Sequence, residues 1–175
     1  MNETYKVQVQ GLVDDLKAVF THAGLGGEAG EYKLLTQSFL YKFLNDKFLY
    51  QAKVLDESNT YENLLAMSEE DYDWLLEDIG TSTAWLKPDQ LIETLHRQQN
   101  EATFYETFEN TLNQIAIDNN DIFSVHTDGD TAIRLFDERL ITDTISDSSK
   151  RNEVAKAIIN LLARVKFDET IFSQE

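Results

Sequence analysis

Lys156, Asn160 and Arg164 recur every four residues in "SDSSKRNEVAKAIINLLARVKF". If that segment is helical, the spacing sets the three side chains in one polar row. Val154, Ile158, Leu161 and Val165 then fall on another face. Residues 150–166 hold five basic side chains against one acid, Glu153, so this row is the best candidate contact for an anionic partner. The competing reading is a solvated face tied by a Glu153 to Lys156 pair.

Catalysis needs a nucleophile, a base or a metal in defined geometry, and few residues here offer one. Cysteine is absent, which removes thiolate chemistry and thiolate metal sites. His22, His96 and His126 lie far apart, with no His-Glu-x-x-His pattern and no pair at helical spacing. "GLGGEAG" lacks the Gly-Lys-Ser/Thr ending of a phosphate loop and follows a predicted helix rather than a strand, so a helix-to-helix turn is the better reading. Asp128 and Asp130 flank Gly129 without the remaining oxygen ligands of a calcium loop. No two carboxylates stand out as a matched acid and base. The sequence therefore offers no catalytic, cofactor or metal residues.

The elements that must position the polar row follow from composition. One proline and seven glycines in 175 residues, with 42% hydrophobic content, fit a single, mainly α domain. An irregular bundle of five to seven helices is expected. The first spans about residues 4–22, with Val9, Leu12, Val13, Leu16, Val19 and Phe20 on one face, and stops at four closely spaced glycines. Ser68 caps a short helix that Gly80 ends, and Pro88 opens another carrying Leu91, Ile92 and Leu95. A helix near residues 103–117 buries Phe104, Phe108, Leu112 and Ile115. Around Asp128-Gly129 the alternation permits a small β-hairpin, although a helix fits the same residues.

The formal charge of −17 works against binding a polyanion over the whole surface. Residues 56–86 alone carry nine carboxylates and no Lys or Arg, as a solvated acidic face would. No apolar run reaches the length of a membrane span and no secretion signal is evident, so a cytoplasmic protein with no membrane contact is expected.

One segment resists this bland picture. "EYKLLTQSFLYKFLNDKFLYQAKVL" is apolar around most of a helix, through Leu34, Leu35, Phe39, Leu40, Phe43, Leu44, Phe48 and Leu49. Such a helix belongs at the centre of the fold. Its Lys33, Lys42 and Lys47 must then reach the surface or pair with Asp46 and other acids.

The step "EYK" followed by Lys42, Phe43, Leu44, Asn45 and Asp46 resembles the N-terminal helical domain of the DNA-methyltransferase (M) subunit of type I restriction-modification systems. "WLKPDQLIETL", residues 85–95, is similar to the point where an aromatic and a proline introduce the next helix in that family. The segment containing Lys156 is similar to the helix preceding its catalytic domain. The resemblance implies a non-catalytic assembly and DNA-clamp module ahead of an S-adenosylmethionine-dependent adenine-N6 methyltransferase domain. Implied partners are that downstream domain, a second M subunit, the specificity and restriction subunits, and DNA held within the complex. The family's Asn/Asp-Pro-Pro-aromatic motif, which holds a flipped adenine, cannot occur here, because Pro88 is the only proline. The chain should therefore bind no cofactor and be inactive alone. A second reading, resting on charge, is a free-standing acidic DNA mimic or regulatory interaction protein.

Overall fold

The computed structural model describes residues 3–120, 136–167 and 169–173. Those residues form α1 (Glu3–His22), α2 (Ala29–Leu55), α3 (Tyr61–Ala66), α4 (Glu69–Ile79), α5 (Ile92–Arg97), α6 (Phe104–Asp118), α7 (Leu140–Thr144) and α8 (Ser148–Arg164). Two 3-10 turns cover Pro88–Gln90 and Glu169–Ser173. The bundle is mainly α, as composition predicts. Helices α3 and α7 have only six and five residues, too few for a periodic apolar pattern to announce them, whereas the equally short α5 is the helix expected after Pro88. The hairpin or helix at Asp128-Gly129, together with His126 and Asp130, lies outside the described residues. No helix among the described residues is long and apolar enough to cross a membrane.

Helix α1 buries Tyr5, Leu12, Leu16 and Phe20 in a stripe set by the 3.6-residue repeat. It ends where Gly24 and Gly27 take φ values of 87° and 79°, which side chains with a Cβ rarely adopt. Gly30 has another use. It falls in the first turn of α2, where an added Cβ would come within 3.3 Å of Thr144 on α7. Helix α4 starts at Ser68, whose hydroxyl accepts the Asp71 N–H at 3.1 Å, and stops at Gly80, φ 74°. Pro88 opens a 3-10 turn, and α5 follows with Leu91, Ile92 and Leu95 buried.

Two helices form the inside. Helix α2 packs against α1, α4 and α7, while α8 packs against α1, α5 and α6. The predicted faces are buried: Phe104, Phe108, Leu112 and Ile115 on α6, and Val154, Ile158 and Leu161 on α8. Val165 falls just past the end of α8 and is half-buried. The chain after α8 folds back over α2. Phe167 meets Tyr5 and Phe39 at ring-centre distances of 5.5 and 5.9 Å, and Phe172 meets Phe43 and Tyr50 at 5.5 and 5.7 Å.

Buried polar side chains hold the segments that lack regular partners. Glu109 on α6 accepts the Ile141 and Thr142 N–H groups at 3.0 and 2.9 Å, so it caps α7, whose own Arg139 supplies no cap. Asn119 is fully buried and clamps Trp85 from both sides: its Oδ1 accepts the Trp85 N–H at 2.7 Å and its Nδ2 donates to the Trp85 carbonyl at 2.8 Å. The Ser38 hydroxyl, in contrast, is buried without a partner among the described residues.

These two sites predict opposite outcomes in urea denaturation. Asn119→Ala leaves the Trp85 amide and carbonyl unpaired and should cost about 3 kcal/mol. Ser38→Ala removes an unsatisfied hydroxyl and adds helix propensity, and should be neutral or stabilising by up to about 1 kcal/mol.

Candidate functional site

The polar row lies on the narrow strip of α8 that its three neighbours leave uncovered. Asn160 and Arg164 are exposed and Lys156 is half-buried. Neighbouring elements reach across that strip. Asn160 and Gln99 form a reciprocal amide pair, with Asn160 Nδ2 donating to Gln99 Oε1 at 2.9 Å and Gln99 Nε2 donating to Asn160 Oδ1 at 3.1 Å. Arg164 Nη2 stands 3.8 Å from Asp15 Oδ2 on α1. The Glu153 to Lys156 pair expected as the competing reading is not among the ion pairs of the described residues, and Glu153 instead borders a groove between α1 and α8 with His22 and Lys150. The three row residues thus share a helix face, and two of them have a partner on another element.

A second cluster grows from the apolar helix α2. Lys42 is only 4% exposed, and its Nζ lies 3.0 Å from Asp46 Oδ2 and 5.5 Å from the centre of the Phe167 ring. Asp46 Oδ1 accepts from Asn45 Nδ2 at 3.0 Å, and Asn45 Oδ1 accepts the Ile92 N–H at 2.9 Å. That last bond matters because the Ile92 N–H opens α5, where no side chain of the cap residue Leu91 can serve it. One turn earlier, Tyr41 OH donates to the Gln90 carbonyl at 2.6 Å. The cluster borders a cleft of about 360 Å³ also lined by Lys53, Tyr61, Lys166 and Phe172.

Burial pushes the Lys42 ammonium below the ordinary lysine range, Asp46 works in the opposite direction, and the Lys166 charge adds a smaller downward push. Burial also raises the Tyr41 hydroxyl well above the usual tyrosine range, reinforced by Asp89. Both effects leave Tyr41 a donor to the Gln90 carbonyl at any ordinary pH.

Of the other lysines singled out in α2, Lys33 pairs with Asp137 at 3.3 Å across exposed surface. His22 ends α1 and His96 sits on α5, on separate elements. Among the described residues no three His, Cys, Asp or Glu side chains stand together as a metal ligand set would. The role of Asn45 was not foreseen. Its signal was an amide three residues after Lys42, in an apolar stretch of helix where a polar side chain must find a partner. Gln99 carries no comparable signal, because its partner Asn160 is 61 residues away.

No family model, curated protein or solved structure matches the chain.

The Lys42–Asp46 pair predicts an asymmetric response to substitution. Asp46→Ala strands a buried ammonium and should cost about 3 kcal/mol or more; Lys42→Met removes the charge itself and should cost less. Lys42 has a folded-state pKa below its unfolded value, so between the two values the unfolded chain binds more protons and stability from this group rises with pH. The deficit of Asp46→Ala should therefore be largest near neutrality and shrink as the pH approaches about 10. The same pH series on Lys42→Met/Asp46→Ala should lose that trend.

Proposed function

We propose that the chain is the non-catalytic N-terminal assembly and DNA-clamp module of the M subunit of a type I restriction-modification adenine-N6 methyltransferase. One junction carries this reading. Two of the stretches that resemble the family, residues 42–46 and 85–95, are bonded to each other through Asn45 to the Ile92 N–H, and Tyr41, just before the first, donates to the Gln90 carbonyl. The third, α8, packs against α5 immediately beside them. Part of the resemblance, Asn45 and the start of α5, therefore helps hold three segments of the bundle together, as expected of a module whose task is to keep its shape between larger partners; the "EYK" step lies outside this junction.

In this reading S-adenosylmethionine and the flipped adenine belong to the downstream catalytic domain. The module contacts that domain, a second M subunit and the specificity and restriction subunits as the complex closes around DNA. Lys156, Asn160 and Arg164 face the phosphates. Their present partners do not oppose this: the Arg164–Asp15 contact is long and exposed at both ends. Exchanging such a pair for a phosphate costs little.

The test is the triple variant Lys156→Ala/Asn160→Ala/Arg164→Ala in the assembled complex. It should weaken DNA binding and lower the slope of log affinity against log salt by about 2, one unit for each lost cation. Unchanged affinity rejects the contact role. Methyl transfer to DNA by the 175-residue chain alone would overturn the accessory reading. A reading frame continuing beyond Glu175 into an Asn-Pro-Pro-aromatic motif supports it, whereas a stop codon there favours the free-standing acidic mimic.

A further inference from the structure

Helix α4 turns Tyr72, Leu75 and Leu76 into the core. Trp74 is roughly 200° around the helix from Tyr72, on the outward side, and is 60% exposed. An indole offers one of the largest apolar surfaces of any side chain, so leaving one in water at the outer face of an amphipathic helix gains the fold nothing. Its neighbours at helical spacing are all carboxylates: Glu70 and Asp71 one turn before, Glu77 and Asp78 one turn after. Glu69, Glu70, Asp73 and Glu77 share a shallow depression of about 470 Å³ with the indole.

Elsewhere the chain shows what completes such a site. Arg97 lies over the Tyr61 ring at 4.9 Å, with Nη2 2.6 Å from Glu62 and Nε 3.5 Å from Glu93. Arg151 likewise covers Tyr105 at 5.7 Å. Trp74 has the ring and the flanking carboxylates, but no cation lies over it among the described residues, and residues 56–86 contain no Lys or Arg.

We propose that the outward face of α4, centred on Trp74, is a docking surface for an arginine-bearing segment of a partner protein. The guanidinium stacks on the indole and its edge donates to Glu70 and Glu77. A planar, weakly hydrated guanidinium suits a ring bordered by two carboxylates better than an ammonium does. The surrounding charge repels nucleic acid. This surface goes beyond the methyltransferase reading and does not depend on it.

The experiment titrates hexa-arginine and hexalysine peptides into the full chain by calorimetry at low ionic strength. Hexa-arginine should bind the more tightly. Trp74→Ala should weaken it about fivefold, and Glu70→Gln/Glu77→Gln should weaken it more than Glu138→Gln/Asp143→Asn, which removes the same charge outside α4. All these positions are exposed, and circular dichroism should show unchanged helix content. Absence of binding, equal binding by Trp74→Ala, or equal loss in both double variants would overturn the proposal, the last by showing attraction to net charge alone. None of these outcomes bears on whether the chain belongs to a methyltransferase subunit.

Discussion

Helix α2 imposes the condition that the rest of the structure meets. It is about 40 Å long at 1.5 Å per residue and apolar around most of its circumference, so no side of it can be left in water without cost. Helices α1, α4 and α7 cover part of it. The remaining aromatic edge, Phe39, Phe43 and Tyr50, is covered by Phe167 and Phe172 from the chain beyond α8. Both ends of the helix reach solvent, but between residues 37 and 52 no side chain is exposed, so polar residues there have no outer strip. Lys42, Asn45 and Asp46 must be satisfied internally, and they are, by one another and by the start of α5. The buried network is a consequence of the helix's apolarity, and it fixes the register between α2 and α5.

Charge is partitioned with comparable clarity. The acidic residues of α4 point away from the core, and the first-turn acids Glu69, Glu70 and Asp71 sit where the helix dipole favours them. Helix α8 carries four basic residues against the single acid Glu153, and its exposed strip is narrow because its flanks are packed. Two members of that strip meet side chains of α1 and of the turn after α5. Electrostatic steering of an anionic partner toward that strip must work against the chain's net charge of −17.

Long periodic helices were legible in the sequence because their signal is local. The stripes of α1 and α6, the Ser68 cap and the Gly80 stop each depend on residues within a few positions of one another. What was not legible depends on distant partners. Glycine at position 30 reads as a turn residue, and only the approach of Thr144 shows that it is a packing residue. Helix α7 has no cap of its own in sequence, because Glu109, more than thirty residues earlier, supplies it. At the polar row, spacing placed three residues on one face correctly, yet Gln99 and Asp15 became visible only once α8 was packed.

The buried polar side chains share a pattern that bears on function. Asn45, Glu109 and Asn119 accept main-chain N–H groups, and Tyr41 and Tyr72 donate to main-chain carbonyls at Gln90 and Leu86. Each ties an irregular or short segment to a long helix. Burial also raises the Tyr72 hydroxyl, as it does that of Tyr41, which keeps both protonated and donating. A reacting group needs a free lone pair or a proton poised to leave, and a side chain already bonded to the backbone of its own fold can offer neither without loosening that fold. The lysine most displaced from its ordinary range, Lys42, is itself held by Asp46 beneath the Phe167 ring. This use of polarity to brace short segments suits a rigid module held between partners, and it leaves the exposed faces of α4 and α8, opposite in charge, as the surfaces through which such a module would meet them.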